Sequence, residues 1–310
     1  MNQPPPKTMY ASGASRAIEL LGDAWVLRLL RTSFRGTRRF SEFMRTLQVS
    51  RAVLSDRLER MVNDQLLVKV CEPGGHPEYR LSDRGLALWG ALVAMWQWET
   101  RWGTGTSDDA APADRPRGQL VHLGCGAAID PVYACAHCRL PVSPFETRAQ
   151  GAWQIGTPQP TPQDGATRKR FRQSDSDTRT TLPTLMRVYG DRWNAAIMAA
   201  ALQGQRTFSE FEEATGIWPT PLTARLEELQ ALGMLRAKAY AGSRQEYRMT
   251  RASIATYPIT LELLQWGDEW LWEKRPPMQV VHAPCGQVLA AKWYCPSCRE
   301  PLDRGTIRFV

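Results

Sequence analysis

RRFSEFMRTLQVSRAVLSDRLERMVNDQLL, residues Arg38–Leu67, reads as two helices joined by a tight turn. Phe40, Phe43 and Leu47 recur at helical spacing and give the first helix one apolar face. Gln48-Val49-Ser50 breaks that pattern, and Ser50 is placed to cap the second helix. Val53, Leu54, Leu58, Met61 and Leu66 build a second apolar face, while Arg51, Asp56, Arg57 and Arg60 point outward. A short helix pair with a basic outer face fits a helix-turn-helix, whose second helix enters the major groove. It also fits any antiparallel helix pair with a solvated charged face, so the flanking sequence has to decide.

Upstream, Ser15–Leu30 has helical apolar spacing, divided at Gly22-Asp23 with Asp23 as a cap. Downstream, Leu67–Cys71 and Glu78–Ser82 read as strands around the turn-forming Glu72–Pro77, which makes a wing. Asp83–Trp102 comes next as one long helix carrying Trp89, Trp96, Trp98 and Trp102. The unit then recurs at a constant offset of 168. Gly22-Asp23-x-Trp25 returns as Gly190-Asp191-x-Trp193, and Phe40-Ser-Glu-Phe43 as Phe208-Ser-Glu-Phe211. Leu54, Arg57, Leu58 and Glu59 return as Leu222, Arg225, Leu226 and Glu227, and Glu78-Tyr-Arg80 as Glu246-Tyr-Arg248. So many matches at one offset make two tandem copies of one domain.

Each copy is trailed by a second repeated piece, His-x2-Cys-x9-Cys-x2-Cys, now at an offset of 160. Its members are His122, Cys125, Cys135 and Cys138, then His282, Cys285, Cys295 and Cys298. Three thiolates and an imidazole suit a closed tetrahedral zinc site, so each copy is expected to close its own ribbon around one structural zinc. His137 offers another nitrogen in the first copy, but its counterpart is Ser297. Reduced thiols without metal and a redox-exchanging Cys-x2-Cys are the other readings. Cys71, outside the motif, reads as buried strand filler or as a thiol sensor.

The expected fold class is α+β, mostly α: two tandem winged helix-turn-helix domains, each followed by a small Cys/His zinc-ribbon-like hairpin. The expected divisions are a disordered tail 1–11, domain one 12–104, ribbon one 119–142, a flexible linker 143–181, domain two 182–274 and ribbon two 279–304. The linker holds a basic run, Arg168–Arg172. A net charge of +8 favours a polyanionic partner. No apolar run approaches a membrane span, and the N-terminus has no signal-peptide core, so a cytoplasmic protein is expected. No catalytic constellation is found: there is no phosphate-binding loop and no Ser/His/Asp or paired-carboxylate pattern.

Gly22-Asp23-x-Trp25, Arg39–Phe43, the Leu54-x2-Arg57-Leu58-Glu59 core and Glu78-Tyr-Arg-Leu81 resemble the HxlR-type winged helix-turn-helix regulators, relatives of the MarR group. The resemblance implies sequence-specific binding of double-stranded DNA and control of transcription, usually by repression. Single-domain members are similar in working as homodimers, which two tandem domains could imitate as an intramolecular pseudo-dimer. Ser50, Arg51 and Ser55 would then reach base edges, and Arg38, Arg39, Arg57, His76 and Arg80 the backbone or minor groove. The second copy offers Thr220, Thr223, Arg225, Arg244 and Arg248. Thiol-sensing members carry a cysteine just before the first helix, where this chain has serines near Ser12 and Ser15. The copies also differ in charge. Residues 24–60 hold nine arginines against three acids, whereas 182–275 hold eleven bases and eleven acids. That imbalance favours the first copy as the one that grips DNA. It also keeps open a different role, a protein-interaction module with a degenerate second winged helix. A small-molecule effector bound by the Trp-rich helices is compatible with either.

Overall fold

The structure, a computed structural model, describes residues 12–73, 75–103, 119–151, 183–241, 244–272 and 278–310. The expected tail, most of the linker and its basic run lie outside them.

The first copy begins with α1 (Gly13–Leu21) and α2 (Ala24–Phe34). They are divided at Asp23, whose carboxylate accepts from the amides of Trp25 (2.8 Å) and Val26 (3.3 Å). This is the N-cap that satisfies the orphan amides of a helix start. Next come α3 (Phe40–Leu47), α4 (Arg51–Asn63) and the wing β1 (Leu67–Val70) with β2 (Glu78–Leu81), paired Leu67↔Leu81 to Val70↔Glu78. Phe43, Leu54, Leu58, Met61 and Leu66 are fully buried, so the expected apolar faces meet in one core. Asp83–Trp102 is not one helix. It divides into α5 (Asp83–Leu86) and α6 (Trp89–Trp102), with α5 packed so closely against the turn between α4 and β1 that a Cβ on Gly85 would lie 2.1 Å from the Leu66 carbonyl oxygen.

The second copy repeats this order: α7 (Thr184–Tyr189), α8 (Arg192–Leu202), α9 (Phe208–Thr215), α10 (Pro219–Ala231), β7 (Leu235–Ala241), β8 (Arg244–Met249), α11 (Arg251–Ile254) and α12 (Tyr257–Trp270). The two copies pack against each other through equivalent residues. α1 and α6 both pack against α12. Asp23 and Asp191, equivalent residues, form an antiparallel bridge. The indole NH of Trp98 donates to the Ala252 carbonyl (2.6 Å), and that of its counterpart Trp266 to the Arg84 carbonyl (2.9 Å). A Cβ on Gly267 would lie 2.0 Å from the Gly13 carbonyl oxygen, so glycine there lets two helix backbones touch.

Asp268 accepts from the Gly13 amide at this seam (3.1 Å). Burial pushes its carboxyl up to about 6, partly opposed by that amide. The folded state therefore holds a proton more tightly than the unfolded chain, and the wild type loses stability as pH rises through that range. Asp268→Asn, which keeps the acceptor oxygen, should raise Tm at pH 8 in thermal melts. The gain should shrink as pH falls below about 6.

The ribbons depart from the expected pair of self-contained hairpins. Ribbon one supplies β3 (Leu120–His122), β4 (Ala128–Ile129) and β5 (Val132–Cys135), and ribbon two supplies β9 (Met278–His282) and β10 (Ala291–Tyr294). β5 pairs with β10 across the copies, Ala291↔Cys135 to Tyr294↔Val132. The polar stretch expected as linker starts with a 3-10 turn capped by Ser143 and continues into β6 (Thr147–Gly151), which pairs with β9. Reciprocally, β11 (Ile307–Phe309), beyond the expected end of ribbon two, pairs with β3. Each ribbon lends its last strand to the other. Among the described residues no helix is long and apolar enough to cross a membrane.

Candidate nucleic-acid interface and metal centres

The turn of the first helix-turn-helix is made by Gln48 in left-handed conformation (φ 51°) and by Ser50, whose hydroxyl accepts from the Val53 amide (3.4 Å). Ser50, Arg51 and Ser55 are exposed along the first turns of α4. The Arg51 guanidinium stands 5.4 Å over the Phe40 ring, which orients it at the helix start. Arg38 and Arg39 are exposed at the entry to α3. Their amides donate to Glu42 (3.2 and 3.0 Å), and these bonds hold its carboxyl below the usual range. The Tyr79 amide donates to the Arg38 carbonyl (2.8 Å), tying the wing to this corner. In the wing, His76 is exposed. Arg80 is also exposed and hydrogen-bonds Glu78 (2.9 Å), which lowers the Glu78 carboxyl's pKa.

Arg57 has a different environment from the one expected of a phosphate contact. Its side chain is 13% exposed and sits 2.9 Å from Asp23, the cap of α2. Arg225 repeats this with Asp191 (2.8 Å) and adds Glu228 (3.6 Å). Both arginines brace the recognition helix against a capping aspartate and do not present a free charge. The sequence pattern could have said so, since Asp23/Arg57 and Asp191/Arg225 recur as pairs. Arg57→Ala should cost about 2 kcal/mol in urea denaturation, the range for a lost charge-assisted hydrogen bond. It should leave the salt dependence of DNA binding unchanged.

In the second copy Thr220 and Thr223 are exposed on α10, the Thr223 hydroxyl donating to the Pro219 carbonyl (3.0 Å). Arg248 hydrogen-bonds Glu246 (2.8 Å), as Arg80 does Glu78. Arg244 lies in β8, and its side chain is outside the described residues. Sequence reading missed Trp218. It occupies the N-cap position of α10, where the first copy has Ser50, without a capping side-chain hydrogen bond, and it is 75% exposed.

The eight His/Cys residues come together in two groups, but not as two self-contained ribbons. One group is His122, Cys125, Cys295 and Cys298; the other is His282, Cys285, Cys135 and Cys138. Each joins the His-x2-Cys of one copy to the Cys-x2-Cys of the other. His122 Nδ1 is 3.3 Å from both Cys125 Sγ and Cys298 Sγ, and Cys125 Sγ is 3.7 Å from Cys295 Sγ. In the second group His282 Nδ1 is 3.3 Å from Cys138 Sγ and 3.5 Å from Cys285 Sγ, and Cys135 Sγ is 3.9 Å from Cys285 Sγ. Tetrahedral zinc with ordinary bond lengths sets S···S edges at about 3.8 Å and S···N edges at about 3.5 Å. The donor set and its spacing fit a closed zinc site.

Burial raises the Cys135 and Cys295 thiols, but the amides of Cys138 with His137, and of Cys298 with Ser297, together with hydrogen bonds from the neighbouring thiols, outweigh it. The Cys295 thiol is brought down to about 7. Those amides favour the thiolate that a metal requires. His137 is exposed and belongs to neither group. Cys71 is exposed, not buried filler, because it comes after the last residue of β1.

The sequence pattern of the HxlR-like helix-turn-helix family matches residues 20–107 and 188–275. An uncharacterized HTH-type transcriptional regulator of Mycobacterium tuberculosis, Rv3095, is 39% identical over 129 residues, 40% of this chain and 75% of its own. Another of Bacillus subtilis, YybR, is 29% identical over 84 residues, 26% of this chain and 67% of its own. Among solved structures, PA1607, a candidate transcription factor, is 33% identical over 43% of this chain and 89% of its own, with a TM-score of 0.37. Rv3095 and YybR are both named as HTH-type transcriptional regulators. With both copies matched over more than half its length, the chain belongs to the HxlR-like helix-turn-helix family.

Proposed function

We propose that the chain is a cytoplasmic repressor that binds two half-sites of double-stranded DNA with a single polypeptide. The observation that carries this is the exposed set Arg38, Arg39, Ser50, Arg51 and Ser55 around the start of α4. It is presented by a domain whose family partner is built into the same chain. α4 lies in the major groove with Ser50, Arg51 and Ser55 at base edges. Arg38, Arg39 and the wing residues His76 and Arg80 neutralise phosphates or enter the minor groove. Thr220, Thr223, Arg244 and Arg248 address the second half-site, more weakly, because that copy carries balanced charge. Two structural zinc ions hold the ribbons, and with no open coordination position they do no chemistry. Footprinting on DNA upstream of the chain's own gene tests the reading. A protected, salt-sensitive pair of half-sites supports it, and uniform weak protection on every fragment overturns it.

A specific observation favours a second reading, in which the ribbons dock a protein partner. Of the exposed large apolar residues, Leu123, Leu140, Phe145, Val288, Phe309 and Val310 all belong to the ribbons and their exchanged strands. If Arg38→Ala/Arg51→Ala left regulation intact, that reading would replace the first.

A further inference from the structure

A cavity of about 280 Å³ opens where α12, the end of the α5–α6 corner and β10 meet. Ala87 and Trp89 come from the first copy, Glu262, Gln265, Trp266 and Glu269 from α12, and Ala291–Trp293 from ribbon two. The size is at the lower end of small-molecule sites. The acid on its α12 wall is Glu262, which is half-buried. The carboxylate faces Gly90 of α6 so closely that a Cβ there would lie 2.3 Å from Glu262 Oε2; a side chain at residue 90 would displace it. The Tyr133 hydroxyl and the Trp293 indole stand beside it, and Gln265 is fixed by bonds to Tyr133 (2.9 Å) and to the Ala291 amide (2.8 Å). Three indoles and a recessed carboxylate thus line one small space. Glu269 and Lys292 are exposed at its rim.

The pseudo-symmetric position in the other half is built differently. Glu262 is replaced by Ala94 and Glu269 by Arg101. There Arg101 pairs with Asp130, and Gln97 donates to the Pro131 carbonyl (2.8 Å), bridging helix to ribbon. The acid is present on one side only, so it is not needed to dock a ribbon on a helix. Burial of Glu262 pushes its carboxyl up to about 7, with Tyr133 and Trp293 pulling it back. Among the described residues its hydrogen-bond partners, Tyr133 and Trp293, are both neutral. A partly buried acid with no opposite charge costs folding energy, and a bound cation would recover some of it.

We propose that this cavity binds a small organic cation, an aromatic or alkyl ammonium, in the space lined by Trp89, Trp266 and Trp293 with its charge on Glu262. Aromatic faces and a carboxylate together are how quaternary and primary ammonium groups are held. The inference stands apart from the DNA-binding reading, since its test reads binding alone. Calorimetric titration of the full chain at pH 8 uses benzyltrimethylammonium and benzylamine, with benzyl alcohol and benzoate as the neutral and anionic comparisons. Saturable binding of the two cations is expected, at least tenfold tighter than the alcohol, with no binding of benzoate. Glu262→Gln keeps the shape and should weaken the cations at least tenfold with an unchanged far-ultraviolet spectrum. Gly90→Leu, which fills the site from the other wall, should abolish binding. Absence of saturable binding, equal affinity for alcohol and cation, or an unaffected Glu262→Gln variant would each overturn the proposal.

Discussion

Replacing Cys125 and Cys295 together with serine should leave one zinc per chain, whereas replacing Cys125 and Cys135 should leave none. The two double variants remove the same number of thiols. They differ only in whether those thiols belong to one metal group or to both. Cys125 and Cys295 are 3.7 Å apart in one group; Cys135 sits in the other, 3.9 Å from Cys285. Ribbons that closed on themselves would give the opposite result, with Cys125 and Cys135 sharing a site. Metal analysis of purified protein reads the outcome directly. The effect on stability should be large, since a closed structural site in a small zinc module contributes on the order of 10 kcal/mol of apparent binding free energy. Because each site takes two ligands from each copy, its loss should also separate β5 from β10 and β6 from β9. Hydrogen exchange should then accelerate in both ribbons even when one metal is removed. Wild-type protein holding no zinc, or a Cys125→Ser/Cys135→Ser variant that retains one ion, would sink this reading.

The exchanged pairing was not legible in the sequence for a physical reason. His-x2-Cys and Cys-x2-Cys are each local knuckles, and the spacing between them suits a hairpin within one copy as well as a partner from the other. A pattern repeated twice gives both arrangements the same residues. What decides is the pairing of β5 with β10 and the fate of the strands after Pro141 and Pro301. Those trailing stretches share little beyond a capping side chain, Ser143 or Asp303, and an arginine, Arg148 or Arg308. Too little repeats there to be noticed, so β6 passes for linker and β11 for a tail. The winged helices were legible because their apolar periodicity, caps and turns are written within a short span of chain and then written again. The Asp23/Arg57 contact spans two helices, and a charge on the outer-looking face of α4 reads as solvent-facing until its partner is seen.

Arg51→Ala should weaken binding to the preferred operator by about 1–3 kcal/mol, roughly ten- to a hundredfold, and relax discrimination in one half-site. Arg38→Ala should instead weaken binding to all duplexes alike and flatten the salt dependence by about one unit of slope, as expected for one lost phosphate contact. The difference lies in placement: Arg51 opens α4 over the Phe40 ring, while Arg38 stands where the wing meets the entry to α3. Neither side chain is buried, so both variants should melt with the wild type. Thr220→Ala and Thr223→Ala should change affinity only a few-fold. Their helix starts with an exposed Trp218 and two prolines, and no arginine stands where Arg51 does. The paired copies should therefore read an asymmetric operator, one half-site fixed in sequence and the other held mainly through the packed seam between α1 and α12. Competition binding across operators mutated one base at a time measures this. Equal sensitivity in the two half-sites would mean that the second copy reads bases as strongly as the first, and that its balanced charge is no guide to its role.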